Sequence, residues 1–317
     1  MFYLINMKII VLLSTLFSIT IARRISCHAC LNSICYKRAT ILKGHKFSGQ
    51  LAIDRNSNVL YFHYQNNRSR DFTGAFDLDK VNFSFVPNLG FTFGHAVDQS
   101  TKDLYASGTK GIYKYNPKDN KTELFALKEI TIWHMQFDDR LYYTEFQKKG
   151  LYTYINKNSK TIPELSEHQI DDFIVDKKGD IYFMSNYTIH VLRKGAKSPV
   201  LFEDEIYSLT TDKDGNAYFI QPYTRGIYSV NYRSKKLSEV GAFGKASAFK
   251  LVFDGDNHII YYDVTNKNLF YLSPTLNICS VGTRGKHRKM FIATTSRSYK
   301  NHKKNNLSSI KNITKII

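Results

Sequence analysis

One pattern recurs along the chain and constrains its fold more than any other feature. Each copy is an apolar stretch that ends in Asp, followed by a short turn and an apolar pair containing Tyr or Phe. The marker aspartates that end these stretches are spaced by 44, 40, 38, 36 and 42 residues; they are Asp54, Asp98, Asp138, Asp176, Asp212 and Asp254. Six units of about forty residues are typical of the blades of a β-propeller.

Within one unit the residues predict four antiparallel strands, A to D. Strand A is nearly all apolar, as in residues 172–176, and the marker Asp with a nearby Gly or Asn favours a tight A–B turn. Strand B is the aromatic pair, as in 181–183, strand C follows a Gly, as in 226–228, and strand D is more polar, as in 236–240. One such sheet cannot bury both faces, so we predict an all-β, six-bladed propeller of four-stranded antiparallel blades.

The chain also predicts how the ring closes. An open ring would leave two unpaired sheet edges, and residues 38–42 precede the first strand A, where a strand D is expected. We therefore expect this N-terminal segment to complete the sixth blade, which would bring Cys279 close to Cys27, Cys30 and Cys35. A disulfide from Cys279 to that cluster would close a loop of roughly 245 residues and stabilise the ring by several kcal/mol on a chain-entropy account.

Four cysteines in an exported chain suggest two disulfides, with three possible pairings. A zinc site at Cys27 and Cys30 is the alternative. It is disfavoured because Cys35 and Cys279 do not form a second close pair.

The predicted boundaries are a signal peptide at 1–22, a single propeller domain at 23–282 and a basic, disordered tail at 283–317. Lys8, the apolar run 9–21 and the small-residue site 20–22 have the order of a secretory signal. An uncleaved membrane anchor is the alternative, but about 13 apolar positions are too few to cross a bilayer comfortably. Secretion to the extracellular fluid and no stable membrane association are therefore expected.

Charge and sequons add little to this interpretation. The formal net charge is +18, but the tail holds ten Lys or Arg and no acid, so the basic charge is not gathered on a structured face and nucleic acid is not an expected partner. A monomer is expected. Short Asn-x-Ser/Thr sequons are compatible with a glycoprotein; they begin at Asn67, Asn82, Asn120, Asn186, Asn306 and Asn312.

The sequence contains none of the common catalytic motifs, so we expect no enzyme activity, no cofactor and no metal. It lacks a Gly-x-Ser-x-Gly elbow, a His-Glu-x-x-His pair and a phosphate-binding Gly-rich loop. Residues 212–216 resemble the start of a calcium loop, but Gly is fourth and position twelve is Tyr223, which favours a hairpin turn. Asp171, Asp172 and Glu145 leave a metal-dependent lactonase as an alternative.

A binding surface is the remaining prediction. Strand A begins and strand B ends on the same face of a propeller, so polar and aromatic residues at those positions should surround one mouth. The candidate ligand-binding residues are Gln50, His63, His95, Trp133, His134, Glu145, Asp172, Asn186, Tyr207, Gln221, Tyr223, Phe249 and Lys250.

Two of these candidates have two interpretations each. Trp133, the single Trp, either stacks on a flat ligand or packs between blades. Lys250 interrupts an apolar strand, so it either faces the channel or pairs with an acid. His95 and His134 are expected to be polar wall residues.

Several stretches together are similar to the insect (lepidopteran) ommochrome-binding proteins. They are residues 50–55 with 60–62, 96–99 with 111–115, 132–133, 141–146 and the N-terminal cysteine cluster. The resemblance runs from about Cys27 to Cys279, and the tail departs from the family's pattern.

The resemblance implies a secreted haemolymph carrier of an ommochrome pigment, a flat, tryptophan-derived phenoxazinone that bears amino-acid or acidic groups. Aromatic walls with a few cationic or amide groups would suit such a ligand. A calcium-dependent lactonase or esterase and a protein-binding extracellular propeller are the alternatives.

Overall fold

The computed structural model describes residues 27–279, apart from residues 45, 67, 68, 109, 205, 207, 222, 223 and 247. The predicted signal peptide and basic tail therefore lie outside the described residues, as do the candidates Tyr207 and Tyr223 and the sequon residues Asn67, Asn306 and Asn312. Within the described part, the only helical segment is the single 3-10 turn Pro163–Leu165, and nearly all other regular structure is antiparallel β-sheet.

Four of the sheets have four strands each, connected in chain order. The first comprises β3 (Leu51–Asp54), β4 (Val59–Gln65), β5 (Asp71–Asp77) and β6 (Asn82–Phe85). The second comprises β7 (Gly94–Val97), β8 (Leu104–Gly108), β9 (Gly111–Asn116) and β10 (Lys121–Ala126). The third comprises β11 (Ile132–Phe137), β12 (Leu141–Glu145), β13 (Tyr152–Ile155) and β14 (Asn158–Thr161). The fourth comprises β15 (Asp172–Val175), β16 (Ile181–Ser185), β17 (Thr188–Leu192) and β18 (Val200–Asp204).

The remaining sheet has nine strands, in the spatial order β19-β20-β21-β22-β1-β2-β25-β24-β23. Its strands are β1 (Ala29–Leu31), β2 (Ile34–Leu42), β19 (Ser208–Thr211), β20 (Ala217–Gln221), β21 (Gly226–Asn231), β22 (Lys236–Phe243), β23 (Ala248–Phe253), β24 (Ile259–Asp263) and β25 (Asn268–Ile278). Strand β2 pairs with β25, which confirms that the N-terminal segment joins the last strands of the chain.

The hairpin β1–β2 connects two parts of the nine-stranded sheet. Strand β1 pairs with β22 on one side and with β2 on the other. Gly241 allows this approach, because a Cβ at that position would lie 2.1 Å from the Cys30 carbonyl oxygen. The disulfides Cys27–Cys35 and Cys30–Cys279 fasten the hairpin and the chain end, which confirms the predicted link to Cys279. All four thiols are used in disulfides, so the zinc alternative at Cys27 and Cys30 is excluded.

The central cavity is lined by the first strand of each four-stranded sheet and by the two edge strands of the nine-stranded sheet, β19 and β23, and we call these the inner strands. They contact one another in a cycle, in the order β3, β7, β11, β15, β19, β23 and back to β3. The core fills the spaces between successive groups. One apolar cluster joins Ile53 and Phe62 to Val252 and Tyr262, which connects the first group to the last.

The marker aspartates shape the turns that follow the inner strands. The Asp54 carboxylate accepts hydrogen bonds from the backbone N–H groups of Asn56 and Ser57, at 2.9 and 3.1 Å. Asp98, Asp176, Asp212 and Asp254 each accept two backbone N–H bonds in the same way. The hairpin-turn interpretation of residues 212–216 is therefore confirmed.

Candidate functional site

A cavity of about 510 Å³ runs along the inner strands. Its walls extend from the first residues of those strands to the A–B turns, and we call these two regions the strand-start end and the turn end. The volume lies within the range of small-molecule sites in proteins, about 300–1,000 Å³. The cavity is therefore a concave candidate site of suitable size for a small molecule.

The strand pairing confirms that the predicted positions share one face. Leu51 at the start of β3 pairs with Phe62 near the end of β4, and Asp172 pairs with Met184 near the end of β16. The structure nevertheless separates the candidates. Of the candidates within the described residues, four line the cavity, at its strand-start end; they are Gln50, His95, Asp172 and Lys250.

The centre of the strand-start end is an ion pair across the channel. Lys250 Nζ, from β23, lies 3.2 Å from Asp172 Oδ2 in β15. Asp172 Oδ1 accepts a 2.8 Å bond from His134 Nδ1 and a 2.9 Å bond from the Phe173 N–H. Both interpretations of Lys250 thus hold, because it lines the channel and pairs with an acid.

The charge states follow from burial and these bonds. Burial alone would raise the pKa of Asp172, but the Lys250 ammonium and His134 outweigh it and hold the pKa below its ordinary value. Burial lowers the pKa of His134, so the neutral imidazole is favoured although Asp172 opposes the shift. Because an ionised carboxylate only accepts hydrogen bonds, Nδ1 of His134 carries the proton and donates it to Asp172.

The other two histidines among the candidates, His95 and His63, are buried and hydrogen-bonded. His95 contacts Thr92 Oγ1 at 2.8 Å and the Gln50 carbonyl oxygen at 3.0 Å, and burial lowers the pKa of His95 to about 3. His63 contacts Ser48 Oγ at 2.6 Å and Asp71 Oδ1 at 3.0 Å. His95 therefore matches the predicted role of a polar wall residue, whereas His63 and His134 do not line the cavity.

Beside the ion pair lies a group of four aromatic side chains, Phe91, Phe93, Trp133 and Phe146, which we call the aromatic group. Trp133 stacks on Phe93 with ring centroids 3.9 Å apart, and its Nε1–H donates to the Asp171 carbonyl oxygen. Phe146 packs against Trp133, and Phe91 is 38% exposed. Trp133 is partly buried, so it combines features of a packed residue and of a surface for a flat ligand.

The remaining candidates that the structure describes are not part of the cavity lining. The Glu145 side chain pairs with Lys148, and Gln221 accepts a 2.7 Å bond from Thr224. Phe249 is partly buried beside the Lys250 ammonium. Asn186 is exposed in the turn after β16, and the sequon residues Asn82 and Asn120 are exposed as well.

Sequence reasoning did not predict that polar side chains hold the inner strands together, although it included Gln50 among the ligand-binding candidates. The Gln136 amide donates to the Val175 carbonyl and accepts from the Val175 N–H, so it pairs with β15 as a strand would. The Gln50 amide forms the same pair of hydrogen bonds with the Met135 backbone. The Gln99 amide donates to the Ile53 carbonyl and accepts from the Arg55 N–H. These amides satisfy backbone groups at the inner edges of the sheets.

Arg55 performs a similar task at the turn end. Its Nη2 donates to the Thr211 carbonyl at 2.7 Å and its Nε donates to the Phe253 carbonyl at 3.1 Å. Burial lowers the pKa of Arg55, while Asp212 and Asp254 oppose that shift. One signal could have identified Arg55 and Gln99, since each follows a marker aspartate directly.

The described residues contain neither a cluster of metal-binding side chains nor a membrane-spanning helix. No three His, Cys, Asp or Glu side chains in these ranges come together as metal ligands would. No helix in the described ranges has the length and apolarity needed to span a bilayer.

Comparison with known proteins gives one informative sequence match, although no protein-family model matches the chain. The chain is 22% identical over 223 residues to the ommochrome-binding protein of Manduca sexta, which covers 68% of this chain and 81% of that protein. The resemblance noted from the sequence is thereby confirmed.

The structural matches establish the fold class. The structure is similar to a gluconolactonase of Xanthomonas campestris, with a TM-score of 0.58 and 11% identity over 78% of this chain and 96% of that one. It is also similar to the WD40 β-propeller domain of Doa1, with a TM-score of 0.52 and 12% identity over 78% of this chain and 97% of that one. The fold is therefore a β-propeller.

Proposed function

We propose that this protein is a non-enzymatic carrier of a flat aromatic small molecule of the ommochrome type. The observation that carries the proposal is the sequence similarity to the Manduca sexta ommochrome-binding protein. The shared length covers most of that protein, so the similarity is not confined to one repeat. Fold alone would not support the proposal, because propellers perform many unrelated tasks.

The strand-start end has the chemistry that such a ligand requires. The aromatic group offers ring surface for stacking, with Phe91 and Trp133 partly exposed. Lys250 and Gln50 supply cationic and amide groups on the adjoining cavity wall. A fused-ring pigment with acidic or amino-acid substituents would place its rings against the aromatic group and its polar substituents in the channel.

Pigment titration tests the proposal. Trp133 is the single Trp, so quenching of its fluorescence by added xanthommatin reports on this site alone. We expect saturable quenching and co-elution of pigment with protein in gel filtration. The absence of both would contradict the carrier function.

A matched pair of variants locates the site. Phe91 and Phe125 are each 38% exposed and each contact two other rings, but Phe125 lies on the outer strand β10. Phe91→Leu should weaken pigment binding by roughly tenfold, the value of a lost aromatic contact, whereas Phe125→Leu should leave it unchanged. Equal effects would exclude the aromatic group as the binding surface.

A calcium-dependent lactonase or esterase is the second candidate, and the structural likeness to a gluconolactonase favours it. At 11% identity this likeness supports the fold and not the reaction. Hydrolysis of lactones that depends on added Ca²⁺ and disappears with a chelator would favour the enzyme over the carrier. A protein-binding propeller is the third candidate, and pull-down from haemolymph would detect its partner.

We also propose that the ring has six blades. The nine-stranded sheet then consists of two blades, β19–β22 and β23–β25 with β2, joined edge to edge by β1. The cyclic contacts of the inner strands support this division. An experimental structure would test it by the strand count around the channel.

Secretion into haemolymph as a monomeric glycoprotein with one domain at 23–282 completes the proposal. Two disulfides support it, because such bonds persist in oxidising compartments. N-terminal sequencing of the native protein would test cleavage after Ala22, and glycosidase treatment would test the sequons.

A further inference from the structure

We propose that the strand-start end of the channel is a recognition site for the zwitterionic head group of an α-amino acid. The residues that form it are Asp172, Ser208 and Lys250, with His134 as a positioning residue. The inference does not depend on the ligand being a pigment. It rests on the charge balance of the site, on the distribution of hydrogen bonds and on one buried hydroxyl.

The two oxygens of Asp172 have different roles. Oδ1 is held by the His134 side chain from strand β11 and by the backbone N–H of the adjacent Phe173, and these two bonds fix the carboxylate in place. Oδ2 bonds to Lys250 Nζ across the channel at 3.2 Å. A ligand can therefore replace Lys250 at Oδ2 without disturbing the bonds that orient the carboxylate.

Ser208 is the second observation, and it points to a ligand independently. It begins β19, the strand that lies between Asp172 on β15 and Lys250 on β23 in the cycle of inner strands. Ser208 lines the cavity and is 1% exposed, yet its Oγ has no hydrogen-bond partner among the described residues. A buried hydroxyl without a partner costs about 1–3 kcal/mol, so a ligand that bonds to it gains this energy.

The charges select the class of ligand. Asp172 and Lys250 sum to zero, so a simple anion that took Lys250 would leave the buried Asp172 without its cation. A simple cation on Asp172 would leave Lys250 unpaired in the same way. A zwitterion satisfies both groups, since its carboxylate accepts from Lys250 and Ser208 while its ammonium donates to Asp172 Oδ2.

An aromatic amino acid suits the surroundings of this site. The Phe93 and His134 ring centroids are 6.3 Å apart, so the aromatic group adjoins the residue that holds Asp172. The cavity of about 510 Å³ leaves room for a side chain beyond the head group. The same head-group chemistry could come from a free amino acid or from the amino-acid end of a larger molecule.

Three probes of the same shape test the assignment by calorimetry on the disulfide-bonded protein. L-phenylalanine has both charges, 2-phenylethylamine lacks the carboxylate and 3-phenylpropanoate lacks the ammonium. We expect saturable binding of L-phenylalanine and roughly tenfold or greater weakening for each analogue, because each leaves one buried charge unpaired. No binding of L-phenylalanine, or equal binding of all three probes, would overturn the inference.

A matched pair of serines provides the control. Ser107 is also fully buried with an unpartnered Oγ, but it lies on β8 outside the cavity lining. Ser208→Ala should weaken L-phenylalanine binding several-fold while Ser107→Ala leaves it unchanged, and neither variant should lower the melting temperature. Wild-type affinity in Ser208→Ala would count against the site.

Competition separates the two sources of the head group. Displacement of L-phenylalanine by xanthommatin would indicate the amino-acid end of a larger ligand, and L-phenylalanine binding without pigment binding would indicate a free amino acid. Both results support the inference, and the second would contradict only the pigment carrier.

Discussion

The two ends of the channel each contain a cation that reaches across the ring, but the cations have different partners. At the turn end, Arg55 donates to backbone carbonyls of Thr211 and Phe253, which no ligand can displace without separating strands. At the strand-start end, Lys250 bonds to a carboxylate whose other oxygen is held independently. Arg55 therefore joins strands at the turn end, whereas the partner of Lys250 at the strand-start end is a side chain whose second oxygen a ligand could bind instead.

The largest expected effect is the loss of stability when the Arg55 hydrogen bonds at the turn end are removed. Arg55→Met removes two charge-assisted hydrogen bonds and leaves buried carbonyls unpaired, so we expect the free energy of unfolding to fall by about 3 kcal/mol. Urea denaturation measures it. Arg140→Met is the control, because Arg140 pairs with its exposed neighbour Asp139 and should change stability by less than about 0.5 kcal/mol. Similar losses in both variants would remove the structural role of Arg55.

The next effect tests whether the strand-start pair is exchangeable. Lys250→Met leaves a buried carboxylate without its cation, but the Lys250 side chain is itself 20% exposed, so we expect a loss of about 2 kcal/mol in the free energy of unfolding. The double variant Lys250→Met/Asp172→Asn removes both charges and should recover at least half of that loss. A double variant as unstable as the sum of its single variants would show that this pair is as structural as Arg55.

The smallest expected effect is a pH dependence of stability that arises from His95 at the strand-start end. Burial lowers the pKa of His95 to about 3, below the ordinary value of 6.5, so its neutral form favours folding and that stability is lost as the pH falls from about 6.5 towards 3. We expect His95 to contribute about 1.2 kcal/mol of destabilisation as the pH falls from 6 to 5. His95→Gln should remove that part of the slope. An unchanged slope would show that His95 does not control the acid response.

The fold was accessible from the sequence because its determinants are local. Asp54 and Asp212 close turns with residues two to four positions away, so each marker aspartate carries its own structural signal. The pairing of β2 with β25 was also predictable, since an unpaired edge demands a partner.

The cavity residues were harder to predict from the sequence, because they come together only when the ring forms. The two residues that Arg55 bonds to, Thr211 and Phe253, are separated from it by 156 and 198 positions in the sequence. Lys250 and Asp172 are separated by 78 positions. Alternation along one strand does not reveal which polar side chain will cross the channel. The sequence placed Gln50, His95, Asp172 and Lys250 together at the strand-start end, but it gave no reason to include Ser208 or the turn end.

The hairpin β1–β2 has a consequence for biosynthesis. Its cysteines leave the ribosome first, yet the partners β22, β25 and Cys279 are translated some 200 residues later, on the order of ten seconds or more at typical elongation rates. Until then the nascent chain must keep its first strands from pairing with other chains. The oxidation that joins Cys30 to Cys279 can follow only when Cys279 emerges, so assembly of the ring must wait for the synthesis of β25.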